Sequence, residues 1–254
     1  MGRFSSTATS GGAHQKLLMY THHGWGKTYQ CRFYEEEYGK GLIISGESGL
    51  ASLSDKDIDF VDFIAWDKTD LPEDAFDDQH LAFTQIYALL KDKNIQKEYA
   101  WIAIDSLSEL SELCMKHVEN NLDNPEDLRK WGSYEKKFIG AMKFLRDLPM
   151  HVYATALAKE ENNDHDGIEY WPFITQAKVA KRLPALFDHV WCGLRSTKED
   201  SSEVTIERHI ITDEVRGWHG KSRDPYNRLK AVEHGGNVVE LLKRMNETQG
   251  GAKK

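Results

Sequence analysis

KLLMYTHHGWGKTY, residues 16–29, decides the reading of this chain. The apolar Leu17, Leu18 and Met19 read as a buried strand. They run into a loop bearing glycines that closes on Gly26-Lys27-Thr28, the tail of a phosphate-binding P-loop. Beyond Lys27 a helix is expected to about Tyr38, with Cys31, Tyr34 and Tyr38 on one face and Gly39 at its C-terminal stop. In such a strand–loop–helix unit the loop amides converge on an anion at a helix start. His23, Gly24, Trp25, Gly26, Lys27, Thr28 and Tyr29 are therefore candidate ATP-binding residues. Lys27 would serve the β- and γ-phosphates, and the Thr28 hydroxyl would hold Mg²⁺. The full pattern begins with a further glycine, separated from Gly26 by four residues, and Thr21 stands there instead. His22 and His23 have no Cys, His or carboxylate at ligand spacing and read as loop residues rather than a metal pair.

The chain has 254 residues and a net charge of −8. That length suits one large α/β domain, expected over 15–245. Residues 1–14 read as a flexible lead and 246–254 as a frayed tail. No apolar run approaches the length of a membrane span, and the first residues carry no apolar signal-peptide core. Three scattered cysteines suit a reducing compartment, so a cytoplasmic setting is expected. The acidic balance argues against a uniformly basic nucleic-acid binder but leaves room for a local basic strip.

Strand and helix patterns alternate along the chain. Strands are expected at 41–45, 99–104 and 151–157, and a later pair at 190–194 and 204–212. Helices are expected at 78–91, 106–118, 134–148 and 238–245. This order predicts an α/β fold with a mostly parallel central sheet flanked by helices, its later strands antiparallel. Residues 54–80 are acidic and poorly periodic, and read as an irregular insert or lid. A second chemical signal is Asp105, at the end of the apolar run YAWIAI. At the carboxyl tip of a strand in a P-loop fold it would hold Mg²⁺. Alone, an Asp there reads equally well as part of a helix N-cap, with Asp105 or Ser106 starting the next helix.

With KLLMYTHHGWGKT, GLIISGESGL, YAWIAIDSLSEL, HVYATALAKE and HGKSRDP in this order, residues 15–230 resemble the RecA-like P-loop ATPases. More narrowly, they resemble the phage-type nucleotide-binding proteins and Sak-type single-strand annealing ATPases. The resemblance implies a RecA-like core and ATP and Mg²⁺ as ligands. It also implies assembly into a ring or filament with nucleotide between subunits, in a host cytoplasm. Glu47 falls where such enzymes keep the carboxylate that polarises the attacking water. Thr155 is the nearest match to the residue that senses the γ-phosphate. Lys221 and Arg223 resemble a Lys-x-Arg finger reaching a neighbour's nucleotide; a solvated basic turn is the other reading. The family's two loops for single-stranded DNA fall at 120–133 and 160–182. Lys130, Trp131, Tyr170, Trp171, Lys178, Lys181 and Arg182 are the candidate contacts, with aromatics to stack on bases and cations to meet phosphates. Against that, the aromatics fit equally well into a hairpin packed on the core, and the run EENNDHD would repel phosphate. The leading expectation is an ATPase acting on single-stranded DNA in recombination or annealing. The alternatives are a P-loop small-molecule or nucleotide kinase, and a nucleotide-dependent assembly factor.

Overall fold

The most deeply buried strands are those with unbroken apolar sequence. β1 (Lys16–Thr21) and β5 (Trp101–Asp105) are buried at every residue. A parallel strand covered on both faces needs such a run. The computed structural model describes residues 14–47, 49–124, 126–162, 167–200 and 203–247. Of the expected lead over 1–14 and tail over 246–254, residues 1–13 and 248–254 lie outside the described residues, as do residues 125 and 163–166 of the two expected DNA loops.

The remaining strands are β2 (Gly41–Ser45), β3 (Asp59–Ala65), β4 (His80–Ala82), β6 (His151–Asn162), β7 (Ile168–Pro172), β8 (His189–Asp200), β9 (Glu203–Ile211), β10 (Glu214–Val215), β11 (Trp218–His219) and β12 (Val232–His234). The main sheet runs β12-β9-β8-β1-β6-β5-β2-β3-β4. From β8 to β4 every neighbouring pair is parallel, whereas β9 is antiparallel to β8 and β12 to β9. This is the expected fold class, an α/β core with a mostly parallel sheet flanked by helices and antiparallel late strands.

Helices α1 (Cys31–Tyr38), α2 (Phe83–Leu89), α3 (Ile95–Glu98), α4 (Leu107–Asn120), α5 (Arg129–Asp147), α6 (Ala177–Ala180) and α7 (Val238–Asn246) surround the sheet. The period of two in the strands sorts the core into two layers. Leu18, Tyr20, Ile102, Ile104 and Val152 pack with Phe83, Leu110, Phe138 and Met142 of α2, α4 and α5. Leu17, Met19, Ala103 and Tyr153 face Cys31 and Tyr34 of α1 and Leu241 and Leu242 of α7.

Residues 54–80 depart from expectation. They are not an irregular insert but carry β3, paired in parallel with β2, and the first residue of β4. Val61, Phe63 and Ala65 alternate inward, but Asp59 falls on their face and the apolar Phe60 and Ile64 on the other, which masks the period. The helix expected from 78 starts only at Phe83, where the Gln85 side chain accepts the Ala82 amide at 2.9 Å. α5 begins at Arg129, a turn before the apolar positions that suggested a start at 134. Among the described residues no helix is long and apolar enough to cross a membrane.

Candidate nucleotide site

Register brings the chemistry together at the carboxyl ends of the central strands, where open α/β sheets place ligands. Thr21 closes β1 opposite Leu157 and Gly193, and Ser45 of β2 lies opposite Asp105 of β5. The loop after β1 turns through Gly24 at φ +74° and Gly26 at φ +103°, a region that disfavours side chains. It then enters a 3₁₀ turn, Thr28–Gln30, that leads into α1. Thr21 holds the place of the missing glycine because the strand continues through it. The residue is buried, and its Oγ1 donates to the Gly193 carbonyl at 2.6 Å.

Three side chains meet below the loop. Thr28 Oγ1 donates to Asp105 Oδ2 at 2.5 Å, and Thr155 Oγ1 donates to Asp105 Oδ1 at 2.5 Å. Ser106, not Asp105, caps α4, its Oγ accepting the Glu109 amide. Of the two residues that could start that helix, Ser106 does so, which leaves the Asp105 carboxylate to the two threonines. Ser106 Oγ also donates to Glu47 Oε1, which fixes the Glu47 carboxylate beside the tip of β5. Lys27 is only 7% exposed. Burial lowers its pKa, while the nearby charges of Glu47 and Asp105 pull it back up. The Tyr153 hydroxyl donates to the Lys27 carbonyl at 2.9 Å, which ties the loop to β6.

The donor set fits Mg²⁺. A hydroxyl and a carboxylate are hard oxygen ligands, and Mg²⁺ in phosphate sites takes only one or two groups from protein. Among the described residues no three His, Cys, Asp or Glu converge on a fuller metal cage.

Several candidate residues have other duties. Trp25 is buried, and its Nε1 donates to the carbonyls of Leu194 at 3.2 Å and His209 at 3.3 Å. Its ring lies so close over Gly193 that a Cβ there would sit 2.7 Å from it. Trp25 is a strut of the loop, and only its backbone remains to face a nucleotide. Tyr29 stays half exposed beside a cavity of about 590 Å³ lined by Gly26, Phe33, Arg208 and Gly236. His23 is exposed. Two cations escaped the sequence reading. Arg195 Nη1 donates to the Gly24 carbonyl at 3.3 Å, and Arg208 Nε to the Trp25 carbonyl at 2.8 Å. The two residues are cross-strand partners on β8 and β9. Only the strand register reveals this, because the chain between them reads as a polar turn.

Lys221 and Arg223 are not brought to this site. Lys221 Nζ donates to the carbonyls of Pro184 and Phe187 at 2.7 and 2.8 Å. Arg223 Nη1 pairs with Asp188 at 2.7 Å. Asp188 bonds the backbone of Lys16, at the start of β1, so these cations sit at the far end of the sheet from their own loop. The DNA candidates also have partners. Tyr170 stacks on Trp218 with centroids 4.2 Å apart, and Trp171 on His219 at 3.8 Å. Lys178 and Arg182 both reach Glu135, Lys181 reaches Glu161, and Lys130 reaches Glu119. Trp131 remains partly exposed.

The chain is similar to a KaiC-like protein of the hyperthermophilic archaeon Pyrococcus horikoshii OT3, at 14% identity and TM-score 0.44, over 87% of this chain and 90% of that one. It is similar also to the flagellar accessory protein FlaH of Methanocaldococcus jannaschii, at 8% identity and TM-score 0.38, over 86% of this chain and 83% of that one. No curated protein matches it. A family model described as an AAA domain, AAA_24, matches residues 13–224. The chain belongs to this family of AAA domains.

Proposed function

We propose that this protein is a Mg²⁺-dependent ATPase of the RecA-like type, nearest in kind to the Sak-type annealing ATPases, and that it acts on single-stranded DNA in recombination or annealing. The observation that carries the nucleotide half is the convergence of Thr28 and Thr155 on Asp105, directly under a loop turned by Gly24 and Gly26 and followed by the buried Lys27.

Each residue then has a task. The loop amides over 24–28 bind the polyphosphate, and Lys27 supplies a point charge to the β- and γ-phosphates. Thr28 and Asp105 would hold Mg²⁺, which when bound neutralises phosphate charge. Glu47, oriented by the Ser106 hydroxyl, accepts a proton from the attacking water. Thr155 shares Asp105 with Thr28, so a change at the metal-binding carboxylate reaches β6 and the hairpin it forms with β7. The cavity beside Tyr29 and Arg208 has room for the base and ribose. Arg223, exposed at the opposite end of the sheet, exchanges its surface pair with Asp188 for a neighbouring subunit's nucleotide. Lys221, tied to two carbonyls, holds the turn that presents it.

The test is phosphate release from ATP and Mg²⁺ with and without single-stranded DNA, in the native protein and in Lys27→Ala. The expected result is DNA-stimulated release that Lys27→Ala abolishes. Release that persists in Lys27→Ala, or that ignores DNA, contradicts the nucleotide and DNA halves respectively.

A further inference from the structure

The turn that carries Glu47 also touches the candidate metal ligand Thr28. It runs from Gly46, just past β2, to Gly49, which opens a short 3₁₀ turn over Gly49–Leu53. Both ends are pinned. The Gly46 amide donates to the Asp105 carbonyl at 2.7 Å, and the Phe63 ring fills the space that a Cβ at Gly46 would need. The Ser45 hydroxyl donates to the Glu47 carbonyl at 2.8 Å. Past Gly49, Leu53 is buried with Cys31 and Tyr34 of α1. Arg32 of α1 pairs with Asp55 at 2.5 Å, and Glu36 with Lys56 at 2.8 Å. These contacts hold the segment against the 3₁₀ turn that begins at Thr28.

A Cβ built at Gly49 would sit 2.6 Å from Thr28 Oγ1, 3.3 Å from its Cβ and 3.4 Å from its Cγ2. All three lie inside the optimum of about 3.5–4.0 Å for such contacts. The Gly49 backbone is outside the left-handed region, so the close approach, not dihedral strain, is what requires glycine. Turning Thr28 about χ1 could clear the conflict only by taking Oγ1 away from Asp105 Oδ2, to which it donates at 2.5 Å. Lifting the turn instead would draw Glu47 off the Ser106 hydroxyl. Either way a methyl group at this position acts on the chemistry of the site.

We propose that Gly49 is a positioning residue: its missing side chain keeps the Thr28 hydroxyl beside Asp105 and locks that metal ligand to the turn bearing Glu47. The proposal rests on the Mg²⁺ and ATP reading above. It adds a residue that itself touches neither nucleotide nor metal.

The experiment is binding of a mant-labelled, non-hydrolysable ATP analogue to the full chain, followed by fluorescence, first in EDTA and then across a MgCl₂ titration. Native protein is compared with Gly49→Ala, Thr28→Ser and the double variant, with thermal melting alongside. Gly49→Ala should bind the analogue in EDTA as native protein does, because the loop amides and Lys27 are unchanged. Its half-saturating Mg²⁺ concentration should rise about tenfold or more, the usual scale for losing a group that orients a metal ligand. If the alanine also melts early, Thr28→Ser discriminates. Without Cγ2 the serine can turn aside, so Gly49→Ala should cost less stability in that background than in native protein. A native Mg²⁺ midpoint in Gly49→Ala, or melting losses that simply add in the double variant, overturns the role of Gly49 and leaves the nucleotide reading standing. Loss of binding in EDTA would make Gly49 a prop of the phosphate loop and also overturn the proposal. Native protein that binds no analogue, or binds it indifferently to Mg²⁺, overturns the nucleotide reading together with it.

Discussion

Trp25→Phe separates a structural tryptophan from a base-stacking one. The indole Nε1–H is shared between the carbonyls of Leu194 and His209, at 3.2 and 3.3 Å. Phenylalanine cannot donate, so one buried and one partly buried carbonyl lose this donor, at a cost of about 1–3 kcal/mol. The smaller ring also leaves a gap against Gly193, whose missing Cβ is what lets the indole approach. That gap adds about 1 kcal/mol, since neighbours relax only in part. The sum, about 2–4 kcal/mol, lowers the melting midpoint of a chain this size by roughly 4–16 °C. The assay is thermal unfolding followed by circular dichroism, without nucleotide. A base-stacking Trp25 would instead leave the nucleotide-free midpoint in place, because phenylalanine keeps an aromatic face. A shift below about 1 °C would refute the strut assignment.

Four other substitutions probe separate parts of the account. Glu47→Gln keeps an acceptor for the Ser106 hydroxyl but not a base, so turnover should fall about 10²–10⁴-fold with ATP binding retained; turnover within a few-fold of native removes Glu47 from the chemistry. Lys221→Ala strips the donor from two backbone carbonyls and should cost about 1–3 kcal/mol in denaturant unfolding. Arg223→Ala breaks only an exposed pair and should leave stability within about 1 kcal/mol of native while abolishing turnover; unchanged turnover rules out the finger role. Lys16 is buried with its amine on the Leu148 and Met150 carbonyls, and burial lowers its pKa to about 8. The unfolded chain therefore binds more protons between that pH and the ordinary lysine range. Stability should rise with pH across this window, by at most about 1.4 kcal/mol per pH unit from this group. Unfolding followed in parallel for native protein and Lys16→Met should show a steeper native slope there, and equal slopes would contradict it.

The legible parts of this chain were those where one residue type serves both local structure and packing. LLM before the loop and WIAI before Asp105 could only be buried strands, and the glycines of the loop could only be a turn. That was enough for the parallel core and for bringing Lys27, Thr28 and Asp105 together. β3 was missed because Asp59 falls on the face of Val61, Phe63 and Ala65 while the apolar Phe60 and Ile64 fall on the more open one, which blurs the alternation. Trp25 reads from sequence as part of a ligand loop, because nothing local shows that Gly193, far along the chain, leaves space for its ring. Arg195 and Arg208 join the loop only through the long β8–β9 register. For the aromatics and cations of 170–182 the sequence leaves strand contacts and packing equally open, because their partners Trp218, His219 and Glu135 come from distant elements.

The central claim is that the amides over 24–28 and the Thr28–Asp105 pair hold a nucleotide and its metal. A crystal structure with Mg²⁺ and a non-hydrolysable ATP analogue tests it most directly. The account predicts β- and γ-phosphates within hydrogen-bond reach of those amides and of Lys27 Nζ, with the metal on Thr28 Oγ1 beside Asp105. An analogue bound elsewhere, with the Thr28–Asp105 hydrogen bond undisturbed, would contradict it.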